Sequence, residues 1–408
     1  MNKKLQVFII VLFVFLIAFI SFVLIAEKRN IDELRTDYPN LKEEVYSYRM
    51  DGLKVWAIRV ILSFGLPLFF LTSGLSQAIS LRAGGKNLFL SGLVYGLIFF
   101  GIVFLINLPL NYYSSFYLGH KYGLSNQSFF RWLELNIKGF LVSDLVTSLF
   151  LWIPYYLIYK SPKIWWLKIS ILAIPIIVFL VFISPLVIDP IFNTYTSIEE
   201  NDLGERIGLL LDKAGIGNAD IYMVDKSKDT KTMNAYMTGI FNSRRIVLWD
   251  TTINNMTEDE LLSITAHEIG HYVKGHIWQN ILISILGTTL IMYLVYRLSD
   301  WILISSRGAF GFRNLYNYAS IPLILLCLNI FNFFASPVSN YISRAMEIQA
   351  DRYQITLTGD RESAATAMDK LYETSLGVPR PSDIYKLWYY THPPLEERVE
   401  FYRNEEFD

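Results

Sequence analysis

The chain has 408 residues, 53% hydrophobic and 18% charged; 36 Lys and Arg face 37 Asp and Glu, for a net charge of −1. Soluble domains carry about 25% charged residues, so this composition excludes an ordinary soluble protein, and the near-zero charge gives no support to nucleic-acid binding. The single cysteine, Cys327, cannot close an internal disulfide, so the fold does not depend on an oxidising compartment. At about 150 residues per domain, two or three folding units are expected.

A membrane span needs about 20 mostly apolar residues, and backbone N–H and C=O groups in lipid must pair internally, so each span is read as a helix. Seven runs qualify: Leu5–Ala26, Val60–Ser80, Leu88–Leu110, Gly139–Ile158, Ile164–Val187, Ile277–Leu298 and Ser320–Ser339. The first follows Lys3 and Lys4, but its apolar stretch exceeds a signal-peptide core of about 7–15 residues. No small-residue cleavage site ends it, so it is expected to be an uncleaved anchor. Asp144 in the fourth run, and Asn329 and Asn332 in the seventh, are costly in lipid and must face other helices or water. Inter-helix hydrogen bonds and the lining of a wet cavity are both open readings. Lys3, Lys4, Arg82, Lys86, Lys160, Lys163, Arg297, Arg307 and Arg313 fall on the side of the N-terminus, which weakly favours a cytoplasmic N-terminus. The bias is thin, because the loop after the first run is also basic, with Lys28, Arg29, Arg35, Lys42, Arg49 and Lys54.

Four segments are expected: spans 1–5 over 1–187, a polar unit over 188–276, spans 6–7 over 277–339 and a second polar unit over 340–408. The first polar unit opens with a loop-like FNTYTSIEE. Glu200–Lys213 follows with Leu203, Ile207, Leu210 and Leu211 at helical spacing. Ala219–Val224 and Arg245–Trp249 read as strands, with a turn at Asn242-Ser243. The last unit reads as polar and helical, interrupted by Pro379, Pro381, Pro393 and Pro394.

His267-Glu268-Ile269-Gly270-His271 is an H-E-x-x-H pattern. On a helix, positions i and i+4 share a face, so His267 and His271 can offer imidazole nitrogens to one metal ion. Glu268 sits beside the first ligand and can accept a proton from a metal-activated water without coordinating. Thr257 and Glu260 are spaced as a capping box that starts this helix, and Leu261, Leu262, Ile264, Ile269 and Val273 supply its apolar face. His276 lies five residues past His271, about 140° around a continuing helix of 3.6 residues per turn. It is therefore expected to point away, near the membrane boundary. His120 lies in a short polar loop and is given no role. A catalytic zinc needs a third protein ligand and an open position. Glu347, in a helix beyond the last span, is the candidate. Asp351, four residues on, could accept a hydrogen bond from a ligating histidine.

Together these segments resemble the Ste24-type membrane zinc peptidases, the CAAX prenyl endopeptidases within the M48 peptidases. The resemblance rests on Asn234-Ala-Tyr236 with Thr238-Gly239, on Arg244–Ile253, on His267–His271, on Ser343-Arg344 through Glu347 to Asp351, on Thr391-His-Pro-Pro-Leu-Glu-Glu-Arg398, and on the DPIFN segment Asp189–Asn193. It implies a mainly α, multi-pass membrane protein: seven helices forming a barrel around a water-filled chamber, with an α+β zincin-like domain. It implies one zinc per chain on His267, His271 and Glu347, with Glu268 as general base and Asp351 supporting a ligand. His392 and Arg398 are implied to sit near the scissile bond, for oxyanion or substrate-carboxylate contacts. Asn234 and Ala235 are implied to lie on a strand to which substrate adds. The zinc domain is implied to be cytoplasmic, against the thin charge bias, and Asp144, Asn329 and Asn332 become candidate chamber-lining residues.

The expected function is hydrolysis of peptide bonds by an integral-membrane zinc endopeptidase, acting on a peptide or protein substrate at the lipid bilayer. C-terminal CAAX proteolysis of prenylated peptides is one form, and broad quality-control proteolysis of membrane proteins is the in-class alternative. A transporter with a structural metal site is the reading from another class. It is disfavoured, because a structural zinc closes its coordination with a fourth protein ligand and has no need of Glu268. The H-E-x-x-H chemistry favours zinc among divalent ions. Nothing in the sequence sets the oligomeric state.

Overall fold

A computed structural model describes residues 1–85, 87–217, 219–239 and 243–404; Lys86 of the charge count and Asn242 of the expected turn lie outside them. Among the described residues seven helices are long and apolar enough to cross a membrane. They are α1 (Lys3–Asp37), α2 (Glu43–Thr72), α3 (Leu88–Lys121), α4 (Phe129–Lys160), α5 (Trp165–Phe192), and two more after the first polar unit.

The apolar runs lie where expected, but the first two helices are longer and differently placed. The second run, Val60–Ser80, spans a break: α2 ends at Thr72, Gly74 takes a φ of 75°, and a short helix, Leu75–Ala83, follows. The segment read as a basic loop after the first span is helical, and only residues 38–42 join α1 to α2. Hydropathy marks where lipid ends, not where the helix ends. The polar extensions persist because packing covers them: Ile31, Leu34, Val45 and Tyr46 are buried with Val378 from the C-terminal unit. Glu27, fully buried on α1, pairs with Arg49 at 2.8 Å and accepts bonds from the Ser382 backbone N–H and hydroxyl. Burying a charged side chain is costly unless it is paired and hydrogen-bonded, as Glu27 is here.

The polar unit contains α6 (Asp202–Lys213), capped by Asn201, and a four-stranded sheet. Its strands are β1 (Tyr195–Ser197), β2 (Asp220–Val224), β3 (Ala235–Thr238) and β4 (Arg245–Trp249), in the order β1-β2-β4-β3. β2 and β4 run parallel, with Asp220 opposite Arg245; β1 and β3 flank them antiparallel. β1 corrects the reading of FNTYTSIEE as a loop: three residues are too few to show strand alternation, and pairing with β2 defines it. β3 is an edge strand, with Ala235 opposite Leu248. Ile221, Ile246, Leu248, Ile207, Leu211, Ile264 and Ile269 share one core, which fixes the next helix, α7 (Glu258–Val273), against the sheet.

The capping box starts α7 as its spacing predicts: Glu260 accepts from the Thr257 N–H at 2.7 Å, and Thr257 Oγ1 accepts from the Glu260 N–H. Val273, expected on the apolar face, is exposed at the end of the helix. Burial alone would raise the Glu260 pKa, but Lys370 Nζ, 2.6 Å away, and the Thr257 N–H hold it below the usual carboxylate range. A depressed folded-state pKa stabilises the fold above the unfolded value of about 4.3 and is lost as pH falls through the folded one. Glu260→Gln is therefore expected to cost about 1 kcal/mol at pH 7. The gap should close in acid, as wild-type Glu260 protonates; Tm measured against pH for both proteins checks this.

The sixth and seventh spans are α8 (His276–Ser306) and α9 (Ile321–Thr358). α9 carries the seventh span and the expected third-ligand segment as one uninterrupted helix, so no joint separates the membrane from the site. α7 lies closely against it. A Cβ at Gly270 would come within 3.1 Å of the Ala350 carbonyl oxygen and 3.2 Å of Tyr353 Cβ, so glycine permits this approach. A short helix, Asp250–Asn255, follows β4, and α10 (Arg361–Ser375), α11 (Asp383–Tyr389) and α12 (Leu395–Asn404) follow α9. Within the span layer, Asn329 donates to the Ser63 carbonyl and lines a cavity of about 340 Å³ with Arg59, Asn107, Leu66 and Phe99. Asp144 is half-buried and Asn332 exposed, so none of the three polar span residues is packed out of reach.

Candidate metal centre

α7 and α9 bring three donors together. His267 Nε2 and His271 Nε2 lie 3.1 Å apart. Glu347 Oε2 is 3.3 Å from His267 Nε2, and Oε1 is 3.4 Å from His271 Nε2. Each residue offers one donor atom, all within 4.8 Å of one another. His267 and Glu347 are buried, and Glu347 Oε2 has no hydrogen-bond partner. Two unprotonated nitrogens and a carboxylate oxygen so placed repel one another unless a cation lies among them. Burial opposes charge on His267, yet Asp351 and then Glu347 more than offset it and raise its pKa, so their carboxylates favour positive charge at this point of the cluster. The donor set thus suits a divalent cation, with borderline nitrogen and hard oxygen donors of the kind zinc takes.

Behind the donors lies a buried polar network. His267 Nδ1 donates to Asp351 Oδ1 at 2.8 Å. Arg398 grips Asp351 through Nε at 3.0 Å and Nη2 at 2.5 Å. Tyr402 donates its hydroxyl to Asp351 at 2.6 Å and stands 2.9 Å from Gln354 Oε1. The Asp351 bond leaves Nε2 of His267 as the atom free for a metal.

A cavity of about 370 Å³ opens in front. Asn234, His267, Glu268, Thr391, His392 and Arg398 line it with polar groups; Ala235, Ile264, Met368, Leu371, Tyr372, Tyr389 and Tyr390 complete it. All nine residues expected at the site are accounted for: His267, His271 and Glu347 form the cluster, Asp351 lies behind it, and the other five line the cavity. His392 is exposed, with Nε2 3.3 Å from Glu347 Oε1. The guanidinium of Arg398 also contacts the cavity, though Asp351 holds two of its three nitrogens. The Asn234 N–H donates to Thr252 Oγ1 at 2.8 Å, which anchors the start of β3. Glu268 receives the Met237 N–H of β3; burial raises its pKa, while charge on His267 and His271 pulls the other way.

His276 is a correction. It is buried, and its Nδ1 sits 2.9 Å from Nδ1 of His271. An offset of about 140° holds only along one continuous helix. Gly275 takes a φ of 70°, ends α7 and starts α8 in a new direction, which turns His276 back under His271. Gly275 was the only signal in the sequence. His120 is exposed and bonds the Phe116 carbonyl, away from the site. Tyr402 and Gln354 carried no spacing signal at all.

The family model described as "Peptidase family M48" matches residues 197–406, and "CAAX prenyl protease N-terminal, five membrane helices" matches residues 39–194. The uncharacterized metalloprotease YhfN of Bacillus subtilis (strain 168) is 32% identical over 351 residues, covering 86% of this chain and 82% of its own. CAAX prenyl protease 1 of Saccharomyces cerevisiae is 30% identical over 313 residues, covering 72% and 68%. The crystal structure of S. mikatae Ste24p superposes with a TM-score of 0.84 at 26% identity, covering 96% of this chain and 98% of that one.

Proposed function

The chain belongs to peptidase family M48, and from that premise we propose that it is a CAAX-type zinc endopeptidase that removes C-terminal residues from prenylated peptides at the membrane. The observation that carries this reading is the His267–His271–Glu347 cluster, with Glu268 beside it at the wall of a peptide-sized cavity. His267, His271 and Glu347 would hold one zinc per chain, which when bound would supply Lewis acidity toward the scissile carbonyl and toward water.

The rest falls to the chain itself. Glu268 takes a proton from the attacking water as its oxygen bonds the carbonyl carbon, and returns it to the amine when the C–N bond breaks. A carboxyl raised by burial suits both transfers. His392 stands across the cavity as a donor to the oxyanion. Arg398 holds Asp351, and through it His267, while its cavity-facing side is available to a substrate carboxylate. The outer edge of β3, beside Asn234 and Ala235, would offer chiefly its carbonyl groups to an extended peptide, since the Asn234, Ala235 and Met237 N–H groups already have acceptors. The span-layer cavity beside Arg59 and Phe99 is roomy enough for part of a lipid tail. We assign residues 1–187 and 277–339 to the membrane unit and 188–276 and 340–408 to the peptidase unit, on the cytoplasmic side as the family resemblance implies.

The test compares one CAAX peptide with and without a farnesyl group, using purified protein in detergent with its metal quantified. Cleavage of the farnesylated peptide at least about tenfold faster in kcat/KM, which is about 1.4 kcal/mol of transition-state binding, with about one zinc per chain, is the expected result. Equal rates would replace the CAAX reading with a broader membrane-protein peptidase.

A further inference from the structure

His271 has a partner at its second nitrogen, and the hydrogen-bond chemistry fixes how that pair must be protonated. Its Nε2 faces His267 and Glu347 in the cluster. A neutral imidazole that ligates through Nε2 carries its hydrogen on Nδ1. That Nδ1 lies 2.9 Å from Nδ1 of His276, with the rings at 72°. Two nitrogens bond at that distance only when one donates, so His276 Nδ1 is the acceptor. Its own hydrogen is then on Nε2, which faces Gln349 Oε1 at 3.5 Å, an oxygen that only accepts. Polarity runs one way along the chain, His271 to His276 to Gln349. Gln349 stands on α9, two residues past Glu347, so the helix that supplies the acidic donor also anchors the far end of the relay.

We propose that His276 is a positioning residue: it accepts the Nδ1–H of His271 and so holds that ring in the one tautomer and orientation that present Nε2 to the metal, with Gln349 fixing His276 in turn. It does for His271 what Asp351 does for His267, with a neutral acceptor in place of a carboxylate. The two supports differ in consequence. Asp351 adds negative charge behind one ligand, whereas His276 orients the other without changing the charge of the site. This inference rests on the reading that His267, His271 and Glu347 hold the metal.

The test uses two polar substitutions of unequal reach. In His276→Asn the side-chain oxygen falls near the position of Nδ1 and can accept from His271; in His276→Gln it falls near that of Nε2 and cannot. Zinc affinity of the full-length protein in detergent is measured by chelator competition, alongside Tm of the metal-free protein. Wild type is expected to bind one zinc, and His276→Asn to bind within about threefold of it. His276→Gln should bind about 10–100-fold more weakly, with metal-free Tm alike in the two variants. Equal loss in both variants, or loss in neither, overturns the proposal while leaving the metal site standing. No zinc on wild type overturns the site reading and this one with it. If His276→Gln does not fold, Gln349→Leu replaces it: weaker zinc binding supports the relay, and unchanged binding overturns it.

Discussion

Glu268→Gln is expected to keep its metal and lose catalysis. The substitution preserves size and leaves His267, His271 and Glu347 untouched, but an amide cannot accept the proton of the attacking water. General-base catalysis is worth about 10²–10⁴ in rate, or about 3–5 kcal/mol of transition-state stabilisation. Since Glu268 also delivers the proton to the leaving amine, the loss should lie at the upper end and fall on kcat with little change in KM. Steady-state cleavage of one peptide by both proteins, with zinc content measured in each, checks this. Activity within about tenfold of wild type would remove Glu268 from the reaction; loss of zinc as well would make it a ligand.

Arg398→Met is expected to give the largest loss of stability. Arg398 and Asp351 are both buried, joined by two hydrogen bonds, and Asp351 also serves His267 and Tyr402. Removing one partner of a buried pair strands the other charge and costs about 3–5 kcal/mol. An exposed pair such as Arg206 with Asp259 is screened by solvent and contributes little, so Arg206→Ala is the control. Arg398 also fixes Asp351 in its place against His267, so zinc should bind more weakly once Asp351 is free to shift. Asp351→Asn combined with Arg398→Met should cost less than the two singles added together, because the double variant leaves no unpaired charge. Denaturation of the metal-free variants reads this directly. A cost below about 1 kcal/mol for Arg398→Met would be that of a surface pair and would mean that the pair is not the site's support.

What was legible in the sequence shares a cause: the signal lies within one helix turn or one continuous apolar run. The spans announce themselves because lipid demands about 20 apolar residues in succession. The pair His267 and His271 is visible because four residues make about one helix turn, and the Thr257–Glu260 cap for the same reason. Arg245–Trp249 was legible as a strand because Ile246, Val247 and Leu248 at its centre are apolar in succession, and all three are buried.

The features that escaped are those set by contacts between distant segments. Glu27 and Ser382 lie 355 positions apart, and Asp351 and Arg398 47 apart; no periodicity links them. The ends of α1 and α2 escaped because Val378 and Ser382, far along the chain, cover their polar extensions. β1 escaped because its partner defines it, and His276 because a single glycine redirects the chain.

By itself, then, the sequence determined that this is a seven-span membrane protein with a histidine pair spaced to hold a metal and a carboxylate beside it, since local spacing and apolar run length are written residue by residue. Only the tertiary structure decided which groups stand behind the metal ligands and which way each imidazole faces. Those choices depend on where buried polar groups from separate helices find their hydrogen-bond partners, and burial is a property of the packed chain.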